Sequence, residues 1–473
     1  MKLSKLNPKK INFNDVDKNY SGQDILMKLG ELYQFESGIF GYGNIWTKIE
    51  RIVENIIIDE LDKADCIQAE FPKLQPRKIW EQSGRWDVYT KEADIMFNMS
   101  NNLGDYGLAP TAEECATIFG ANRLLSYKNL PATYYQIGEK FRKEIRARGY
   151  LFRPRTFVMM DAYSFDKTQE DMHKTFEKMH DVYMNIFKRI GINIIPVVSD
   201  GGTMGGRVSE EFQAITKLGE DIILYNEEKN VGINKEVLDF EDKETFIDRL
   251  QGLKLEDMKE YNSVELGNNF ELGTKYSEAM GLTYQDENGQ SKPYYMGCYG
   301  IGLGRIIATT IENNIIIKND RIKGFALPET IAPYKVQIIY SEENKEKAFE
   351  LYNKLQENGI QTIIDDRENL NMGNRINDVY ALGTPNMIVM GKKFEDEKNK
   401  YMINIENLKS AKKVALKLYI SYIEAKMKLA KKYLKDVDIR FYSILKTTGE
   451  IKEDFIITYK NKPLSDLSRS ETV

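Results

Sequence analysis

Residues 134–165 carry the clearest structural signal in the chain. Two extended segments, YYQIGEKFRKE (134–144) and RTFVMMDAYSF (155–165), flank a turn that contains Arg148-Gly149-Tyr150. Extended segments joined by a short turn pair in antiparallel fashion. The sequence therefore predicts an antiparallel β-hairpin in this region.

The same hairpin carries the densest charge of the first 330 residues, with seven basic residues and one acidic residue between positions 140 and 155. Arg142 and Glu144 are two positions apart, so they share one face of an extended strand. Arginine can contact a phosphate through two parallel donors, and a carboxylate can accept from an amine. Phe157 on the return strand can stack on a flat ring. The pattern indicates a nucleotide platform; a solvated charged face is the structural alternative.

A glycine-rich segment, GCYGIGLGR (297–305), follows a probable strand and opens a helix. Its first spacing is similar to a dinucleotide-binding fingerprint, but no Rossmann unit surrounds it. A tight strand-to-helix turn explains the glycines equally well. Arg305 projects from the first helical turn and can approach a nucleotide from the side opposite Phe157.

Elsewhere the chain alternates between helical and extended patterns. Residues 21–60 read as helical with a break at Ser37-Gly38, and a helix from Asp166 stops at Gly191. Residues 227–262 are charged and lack a regular pattern, which predicts a surface excursion with a helix around 242–251.

Two prolines, Pro328 and Pro333, mark a domain boundary. Beyond them the order is strand, helix, strand, helix, strand, which predicts a small α/β domain with a largely parallel sheet. From residue 409 to 435 a basic amphipathic helix has nine lysines and one glutamate, and a polar tail ends at Val473. The helix could bind a nucleic acid, a partner or an acidic surface, or simply pack on the last domain. The predicted domains are residues 1–327, 328–408 and 409–473.

Composition excludes several classes of chemistry. The 473 residues include 67 Lys and Arg against 72 Asp and Glu, a net charge of −5, which argues against a simple DNA-coating protein. Three dispersed cysteines and two histidines make a disulfide framework, a structural zinc site or a histidine triad improbable. No segment is long and apolar enough for a membrane helix or signal peptide, so we expect a cytoplasmic protein.

Several segments resemble class II aminoacyl-tRNA synthetases. FRKE followed by RPRTF resembles motif 2, GCYGIGLGR resembles motif 3, and the helix-strand-proline unit ending at Pro72 resembles the dimer-forming motif 1. LAPTAEE, LGTKYSEAMGLTYQDENGQSKPYYMGCYGIGLGR and IAPYKVQIIY read like the bacterial prolyl-tRNA synthetase family. The resemblance implies an α/β (α+β) fold class. It combines an antiparallel-sheet catalytic core flanked by helices with a small α/β anticodon-binding domain and a C-terminal helical extension.

The resemblance also assigns roles to individual residues. It implies that Arg142 contacts the ATP α-phosphate and the amino acid carboxylate, that Glu144 contacts the adenine amine, and that Arg153 holds the γ-phosphate. Phe157 and Arg305 enclose the adenine. The implied catalytic residues are Arg142, Glu144 and Arg305. The implied ATP set is Arg142, Glu144, Arg153, Phe157, Thr274 and Arg305, and the implied proline set is Thr111, Glu113, Arg142, Asn268 and Cys298.

By this resemblance the substrates are ATP, L-proline and tRNA-Pro, with Mg²⁺ on the ATP phosphates and no zinc. The implied reaction is attack of the proline carboxylate on the ATP α-phosphorus, which needs no enzymic base because the nucleophile is already ionised. The same resemblance assigns anticodon contact to Asp366, Arg367 and Arg375. These side chains could instead only cap and brace the following helix.

The chain departs from the family pattern in two respects. Only residues 166–296 separate motif 2 from motif 3, which leaves no room for the large editing domain of most bacterial relatives. We therefore expect a separate deacylase to clear mischarged alanine. Ala112, Met160, Glu210 and Asn268 also replace residues usual in the family.

Three hypotheses stay open at this point. The first is a genuine synthetase of this family, acting as a homodimer through motif 1. The second is an adenylating paralogue that passes proline or an analogue to a non-tRNA acceptor, and the third is a non-catalytic tRNA-binding relative. The presence of Arg142, Glu144, Phe157 and Arg305 argues against the third.

Overall fold

The structure is a computed structural model that describes residues 1–9, 11, 20–144, 151–202, 204, 206, 208–250, 252–318, 321–392, 437–446, 451–459 and 462–463. The predicted turn at 148–150 and the predicted helix at 409–435 lie outside these residues. The chain divides into two compact units, one of Met1–Gly30 with Asn314–Val473 and one of Glu31–Asn313. The predicted boundaries after residues 327 and 408 remain predictions.

The α-helices are short to medium in length. In chain order they are α1 (Leu3–Leu6), α2 (Gly22–Leu29), α3 (Asn44–Lys63), α4 (Arg77–Gln82), α5 (Glu113–Ala121), α6 (Gln169–Ile190), α7 (Glu244–Ile247), α8 (Lys275–Ala279), α9 (Leu303–Asn313), α10 (Lys345–Glu357) and α11 (Met372–Leu382).

The strands up to residue 302 belong to the unit Glu31–Asn313. They are β1 (Leu32–Glu36), β2 (Ile39–Tyr42), β3 (Ile67–Gln68), β4 (Leu74–Pro76), β5 (Asn98–Asn101), β6 (Gly104–Leu108), β7 (Ala132–Phe141), β8 (Thr156–Asp166), β9 (Ile195–Asp200), β10 (Val208–Ile215), β11 (Asp221–Asn226), β12 (Val231–Asn234), β13 (Lys259–Gly273), β14 (Thr283–Gln285), β15 (Ser291–Pro293) and β16 (Tyr295–Gly302). The later strands are β17 (Ile315–Lys318), β18 (Arg321–Phe325), β19 (Val336–Tyr340), β20 (Thr362–Ile364), β21 (Asn386–Met390), β22 (Val437–Lys446), β23 (Ile451–Tyr459) and β24 (Lys462–Pro463).

A large sheet organises the unit Glu31–Asn313. Among the described residues its strand order is β10-β9-β12-β11-β13-β16-β8-β7-β3. All neighbours are antiparallel except β9 with β12 and β3 with β7. The predicted hairpin is confirmed as β7 and β8, whose register runs from Ala132 opposite Phe165 to Phe141 opposite Thr156.

Helix α6 shows how local sequence sets an element of this unit. Thr168 caps its first turn by accepting from the amide of Asp171 at 3.1 Å, and Gly191, with φ at +90°, ends it. Its buried residues include Met172, Met179 and Tyr183. Through this face α6 packs on β8, β13 and β16, while α3 and α9 complete the same helical layer.

The sequence predicts helix on both sides of Ser37-Gly38, and that prediction is wrong for residues 32–42. These residues form the antiparallel hairpin β1–β2, and α3 begins only at Asn44. Gly38 has φ at +72°, which favours glycine and allows the tight turn. Because each strand has only four or five residues, the hairpin is too short for its period to stand out beside two helices.

The predicted excursion at 227–262 is instead a packed lobe. Strand β12 joins the main sheet between β9 and β11, and α7 follows within the predicted helical region. Ile233, Val237, Phe246, Leu250 and Met258 bury their side chains together. Because apolar residues that meet only in three dimensions build this core, no single period in the sequence marks it.

The C-terminal part of the other unit confirms the predicted α/β order. Strands β20, β19 and β21 pair in parallel, with α10 and α11 as the connecting helices. Residues read as a polar tail form β22 and β23, which pair with each other in antiparallel fashion. Strand β22 also pairs with β21, so the tail extends this sheet rather than trailing from it.

Candidate active site

A cavity of about 720 Å³ opens in the unit Glu31–Asn313, at the ends of β7 and β8 and beside β13, β16 and the start of α9. Its lining includes eight of the residues that the sequence assigns to ATP or proline. These residues are Thr111, Arg142, Glu144, Arg153, Phe157, Asn268, Cys298 and Arg305. The cavity volume of about 720 Å³ falls within the range of ordinary ligand pockets.

Arg142 lies one residue beyond β7 and bridges two parts of the cavity wall. Its Nε donates to the carbonyl oxygen of Pro110 at 3.2 Å. The guanidinium carbon lies 5.2 Å from the centre of the Phe157 ring on β8. Arg142 therefore connects the segment that contains Thr111 with the aromatic platform, which is the position needed to contact two substrates at once.

Hydrogen bonds of its backbone fix the position of Glu144. Its amide donates to the carbonyl of Arg142 at 2.8 Å, and its own carbonyl accepts from the Nε of Arg155 at 3.3 Å. The carboxylate side chain is thus carried on an anchored turn at the cavity rim.

Two further arginines of the cavity are paired with carboxylates. Arg153 Nε lies 2.5 Å from Glu220 Oε2. Arg305 Nη1 contacts Glu265 twice, at the carbonyl oxygen and at Oε2, each at 2.9 Å, and Arg305 Nε donates to the carbonyl of Phe152 at 2.9 Å. These ion pairs fix both guanidinium groups within the wall.

Glu113 lies behind the wall, between Thr111 and Cys298. Its Oε1 accepts from Thr111 Oγ1 at 2.7 Å and from Cys298 Sγ at 3.4 Å, and its Oε2 accepts from Arg85 at 3.0 Å. Burial by itself raises the pKa of Glu113, but the charge of Arg85 and the donation from Thr111 outweigh burial, so the pKa is lowered. Glu113 is therefore an ionised carboxylate suited to a cationic ligand group.

Asn268 contributes a buried amide to the cavity. Its Nδ2 donates to Glu265 Oε1 at 3.2 Å. Its Oδ1 is buried and has no hydrogen-bond partner among the described residues. A buried acceptor of this kind is expected to bind a donor or a cation from a ligand.

Thr274 is the one assigned ATP-binding residue that is outside the wall of this cavity. It caps α8, where its carbonyl accepts from the amide of Glu278 at 2.9 Å and from Ser277 Oγ at 3.2 Å. Its role in ATP binding remains a prediction.

Sequence reasoning missed several ionisable residues near the site. Arg85 is buried beside Glu113 and Glu114. Burial, reinforced by the charge of Glu265, raises the pKa of Glu211 to about 8 and that of Asp221 to about 6. Only the pairing of β10 and β11 with β13 brings these carboxylates together, so no local spacing reveals them.

The predicted anticodon residues lie in the other unit and are strongly engaged there. Arg367 binds Asp365 at 2.8 Å and Asp378 at 2.5 Å. Arg375 is buried and donates to the carbonyl of Asp365 at 2.6 Å. Asp366 accepts from the amide and the hydroxyl of Ser4 at 2.8 and 2.7 Å. These contacts fit the bracing alternative, and base contact remains a prediction.

The two histidines do not join the cavity lining. His173 Nδ1 lies 2.8 Å from Glu271 Oε1. His180 Nδ1 lies 2.9 Å from both carboxylate oxygens of Glu210, and this hydrogen bond raises the pKa of His180. The side chain of His173 is 47% exposed and that of His180 is 31% exposed, so His173 is the more solvated of the two.

Two searches were limited to the described part of the chain. No helix there is long and apolar enough to cross a membrane. No three His, Cys, Asp or Glu side chains there come together as a metal-binding group.

Comparison with known proteins gives a consistent result. The tRNA synthetase class II core domain (G, H, P, S and T) matches residues 91–314, and an anticodon binding domain matches residues 331–426. A proline–tRNA ligase of Rickettsia bellii is 33% identical over 417 residues, covering 85% of this chain and 94% of the relative. A proline–tRNA ligase of Sulfurimonas denitrificans is 32% identical over 425 residues, covering 84% of this chain and 95% of the relative.

Solved structures share the fold. A prolyl-tRNA synthetase of Cryptosporidium parvum, in complex with L-proline and AMP, aligns with a TM-score of 0.63 and 16% identity over 92% of this chain and 72% of its own. A Giardia lamblia prolyl-tRNA synthetase in complex with prolyl-adenylate aligns with a TM-score of 0.63 and 19% identity over 82% of this chain and 70% of its own.

Proposed function

Because this chain belongs to the proline–tRNA ligase family of class II aminoacyl-tRNA synthetases, we propose that it activates L-proline with ATP and transfers the prolyl group to tRNA-Pro. The observation that carries this function is the match to a curated proline–tRNA ligase over 94% of that relative's length. The anticodon binding domain favours tRNA as the acceptor over a non-tRNA molecule.

In the first step the proline carboxylate attacks the α-phosphorus of ATP. A phosphorus–oxygen bond forms to the carboxylate while the bond to pyrophosphate breaks. Arg142 is the residue we assign to this centre, because it lies between the amino acid side of the cavity and the Phe157 ring. Its fixed charge stabilises the developing negative charge without moving.

In the second step a ribose hydroxyl at the 3′ end of tRNA attacks the prolyl carbonyl, and AMP leaves. Since the adenylate is already activated, positioning supplies most of the catalysis. We assign the adenine to the space between Phe157 and Arg305, its amine to Glu144, and the γ-phosphate to Arg153.

The substrate ammonium group is assigned to Glu113 and Thr111. A secondary ammonium has two N–H donors, and the Oε1 of Glu113 together with Thr111 Oγ1 offers acceptors beside the cavity. Cys298 and Asn268 complete the polar side of this pocket.

Magnesium is proposed to enter with ATP. The cavity wall offers the carboxylate of Glu265 and the buried Oδ1 of Asn268, and carboxylate and amide oxygens are the ligands that Mg²⁺ takes. When bound, the ion would neutralise phosphate charge. We propose no zinc, and we place the reaction in the cytoplasm because both substrates of charging are found there.

A homodimer through motif 1 is proposed from the edge of the large sheet. Strand β3 follows α3, lies at the sheet edge, and leaves Ile67 47% exposed. An exposed apolar strand edge is suited to pairing with a second copy. Sedimentation velocity is expected to give about twice the mass of one chain, and a monomer at micromolar concentration would contradict the proposal.

We further propose that a separate deacylase removes alanine from mischarged tRNA, because the chain has no inserted editing domain between motifs 2 and 3. Preformed Ala-tRNA-Pro is expected to hydrolyse no faster with the purified protein than in buffer alone. Rapid deacylation by this protein alone would overturn that part.

Two coupled assays test the main function. Proline-dependent exchange of pyrophosphate into ATP measures activation, and charging of tRNA-Pro measures transfer. We expect both. Exchange without charging would support the paralogue that uses another acceptor, and the absence of both would support a non-catalytic relative.

A further inference from the structure

Arg85 is a buried arginine bound to Glu113 behind the cavity wall, and no motif assigns it a role. It follows α4 in a turn where its amide donates to the carbonyl of Trp80 at 2.9 Å. The residue is only 4% exposed. A buried guanidinium is retained only when opposite charges and acceptors satisfy it, so its partners indicate its task.

Those partners are two adjacent buried glutamates. Arg85 Nη1 lies 3.0 Å from Glu113 Oε2 and 3.1 Å from Glu114 Oε1. Glu114 Oε1 also accepts from Ser83 Oγ at 2.6 Å. Arg85 Nη2 donates to the hydroxyl of Tyr89. One cation therefore lies between two carboxylates that share the same N-terminal turn of α5.

Aromatic rings hold the guanidinium in place. Its central carbon lies 4.4 Å from the centre of the Tyr89 ring, 5.1 Å from Trp80 and 5.2 Å from Tyr276. Rings at these distances attract a cation and restrict its rotation. Because the arginine cannot move, the orientation of its carboxylate partners is set as well.

The two oxygens of Glu113 face different surroundings. Oε2 is bound to Arg85, whereas Oε1 accepts from Thr111 and Cys298, both of which line the cavity. Arg85 thus holds one oxygen of the carboxylate, while the other oxygen contacts two side chains of the cavity wall. The pKa of Glu113 is lowered while that of the more weakly compensated Glu114 is raised, so the negative charge is expected on Glu113.

We propose that Arg85 is a positioning residue for the amino acid: by binding Oε2 of Glu113 it fixes that carboxylate with Oε1 against Thr111 and Cys298 of the cavity wall, where the substrate's secondary ammonium is assigned. The inference rests on the proposed function, and it goes beyond that function because Arg85 is outside the cavity lining and acts through Glu113. Its effect should fall on proline and spare ATP, whose assigned contacts lie at Phe157, Arg305 and Arg153.

The test compares Arg85→Met and Arg85→Lys with the unaltered chain by pyrophosphate exchange, varying proline and ATP separately. Arg85→Met is expected to raise KM for proline by about 30-fold or more, because it leaves a buried carboxylate without its cation. KM for ATP should change by less than about threefold. The KM of Arg85→Lys for proline should lie between those of the unaltered chain and Arg85→Met, because lysine keeps the positive charge but lacks the two parallel N–H donors of arginine.

The pH dependence of kcat/KM for proline distinguishes a positioning role of Arg85 from a purely structural role in packing. In Arg85→Met the acid limb of kcat/KM for proline should move to higher pH, since Glu113 loses the charge that lowers its pKa. Arg77→Met is the matched control, because Arg77 lies in the same segment but pairs with Glu81 and Asp105 at the surface. It should alter neither KM nor the profile.

Melting temperature, with and without ATP, monitors folding in each variant. If Arg85→Met does not fold, Arg85→Lys provides the test: its KM for proline should rise by a larger factor than its KM for ATP. A change in KM for proline no larger than that for ATP, or an unmoved acid limb in a folded variant, would overturn the inference. Absence of exchange by the unaltered chain would instead overturn the proposed function, and the inference with it.

Discussion

Charged side chains of the cavity are held by opposite charges of the protein itself. Arg153 is bound to Glu220 at 2.5 Å, and Arg305 to Glu265 at 2.9 Å. These pairs keep long side chains in one rotamer, which lowers the entropy lost when a nucleotide binds. At the scale of single residues, two of the three arginines in the described cavity lining are therefore fixed by acidic neighbours, and Arg142 is fixed by a carbonyl oxygen and an aromatic ring.

The first prediction concerns Arg142. Arg142→Ala should abolish proline-dependent exchange, because it removes the cation assigned to both substrates, while the melting temperature stays within a few degrees. Arg123→Ala is the control, since Arg123 is exposed and stacks on Phe119 away from the cavity lining. Unchanged exchange in Arg142→Ala would contradict the site assignment.

A second prediction at this scale concerns pH. Glu210 raises the pKa of His180 in the folded protein above the value of about 6.5 expected for an unfolded chain. The pair therefore stabilises the fold fully below that unfolded value, and the contribution is lost as pH rises through the folded pKa. His180→Gln should lower the free energy of unfolding by about 0.5–1 kcal/mol at pH 5.5 and much less at pH 8.5.

Urea denaturation of both proteins at the two pH values measures this difference. His173→Gln provides the comparison, because His173 is more exposed. An effect of His180→Gln that is equal at both pH values would show that the ion pair does not supply the stability.

At the scale of elements, the packed lobe at residues 231–258 replaces a region that looks irregular in the sequence. Its buried side chains come from β12, α7 and two short 3₁₀ turns, none of which is stable alone. The lobe is held to the main sheet by β12, which pairs with both β9 and β11. Its stability is therefore tied to the sheet that carries Glu211 and Asp221.

This packing makes Phe246 a structural residue. Phe246→Ala should lower the free energy of unfolding by about 3 kcal/mol, because it removes a fully buried ring from the lobe. Urea denaturation followed by circular dichroism measures the change. Lys254→Ala, at an exposed position of the same lobe, should change the stability by less than about 0.5 kcal/mol. Equal effects of the two substitutions would contradict the packed lobe.

At the scale of the whole molecule, the predicted site residues are divided between the two units. The cavity with its arginines belongs to Glu31–Asn313, and the residues assigned to the anticodon belong to the other unit. We expect activation of proline to require only the unit Glu31–Asn313, and charging of tRNA to require both units. Substitutions in the unit that contains Asp366 should therefore affect charging of tRNA and leave activation of proline unchanged.

Asp366 provides the test of this division. Asp366→Ala should raise KM for tRNA-Pro by about tenfold, within the range for loss of one base contact, and leave exchange unchanged. Ser4→Ala is the control, because it removes only the hydroxyl that donates to Asp366 at 2.7 Å. If both variants charge tRNA normally, Asp366 has the bracing role instead.

Much of the fold could be predicted because its signals are local. Strand period predicted β7 and β8, a glycine stop predicted the end of α6, and alternating elements predicted the parallel strands β19, β20 and β21. The β1–β2 hairpin was missed because its strands are short. The strands β22 and β23 were missed because the segment was read as a polar tail, although β22 begins with alternating apolar and charged residues (VDIRF), which is the period of a strand.

The sequence by itself determined which residue types stand at the motifs, and so the candidate chemistry of Arg142, Phe157 and Arg305. Only the tertiary structure decided their partners, such as Arg85 for Glu113 and Glu220 for Arg153. The physical reason is that a motif is a local pattern, whereas a buried ion pair depends on the register of strands and the packing of helices from distant parts of the chain.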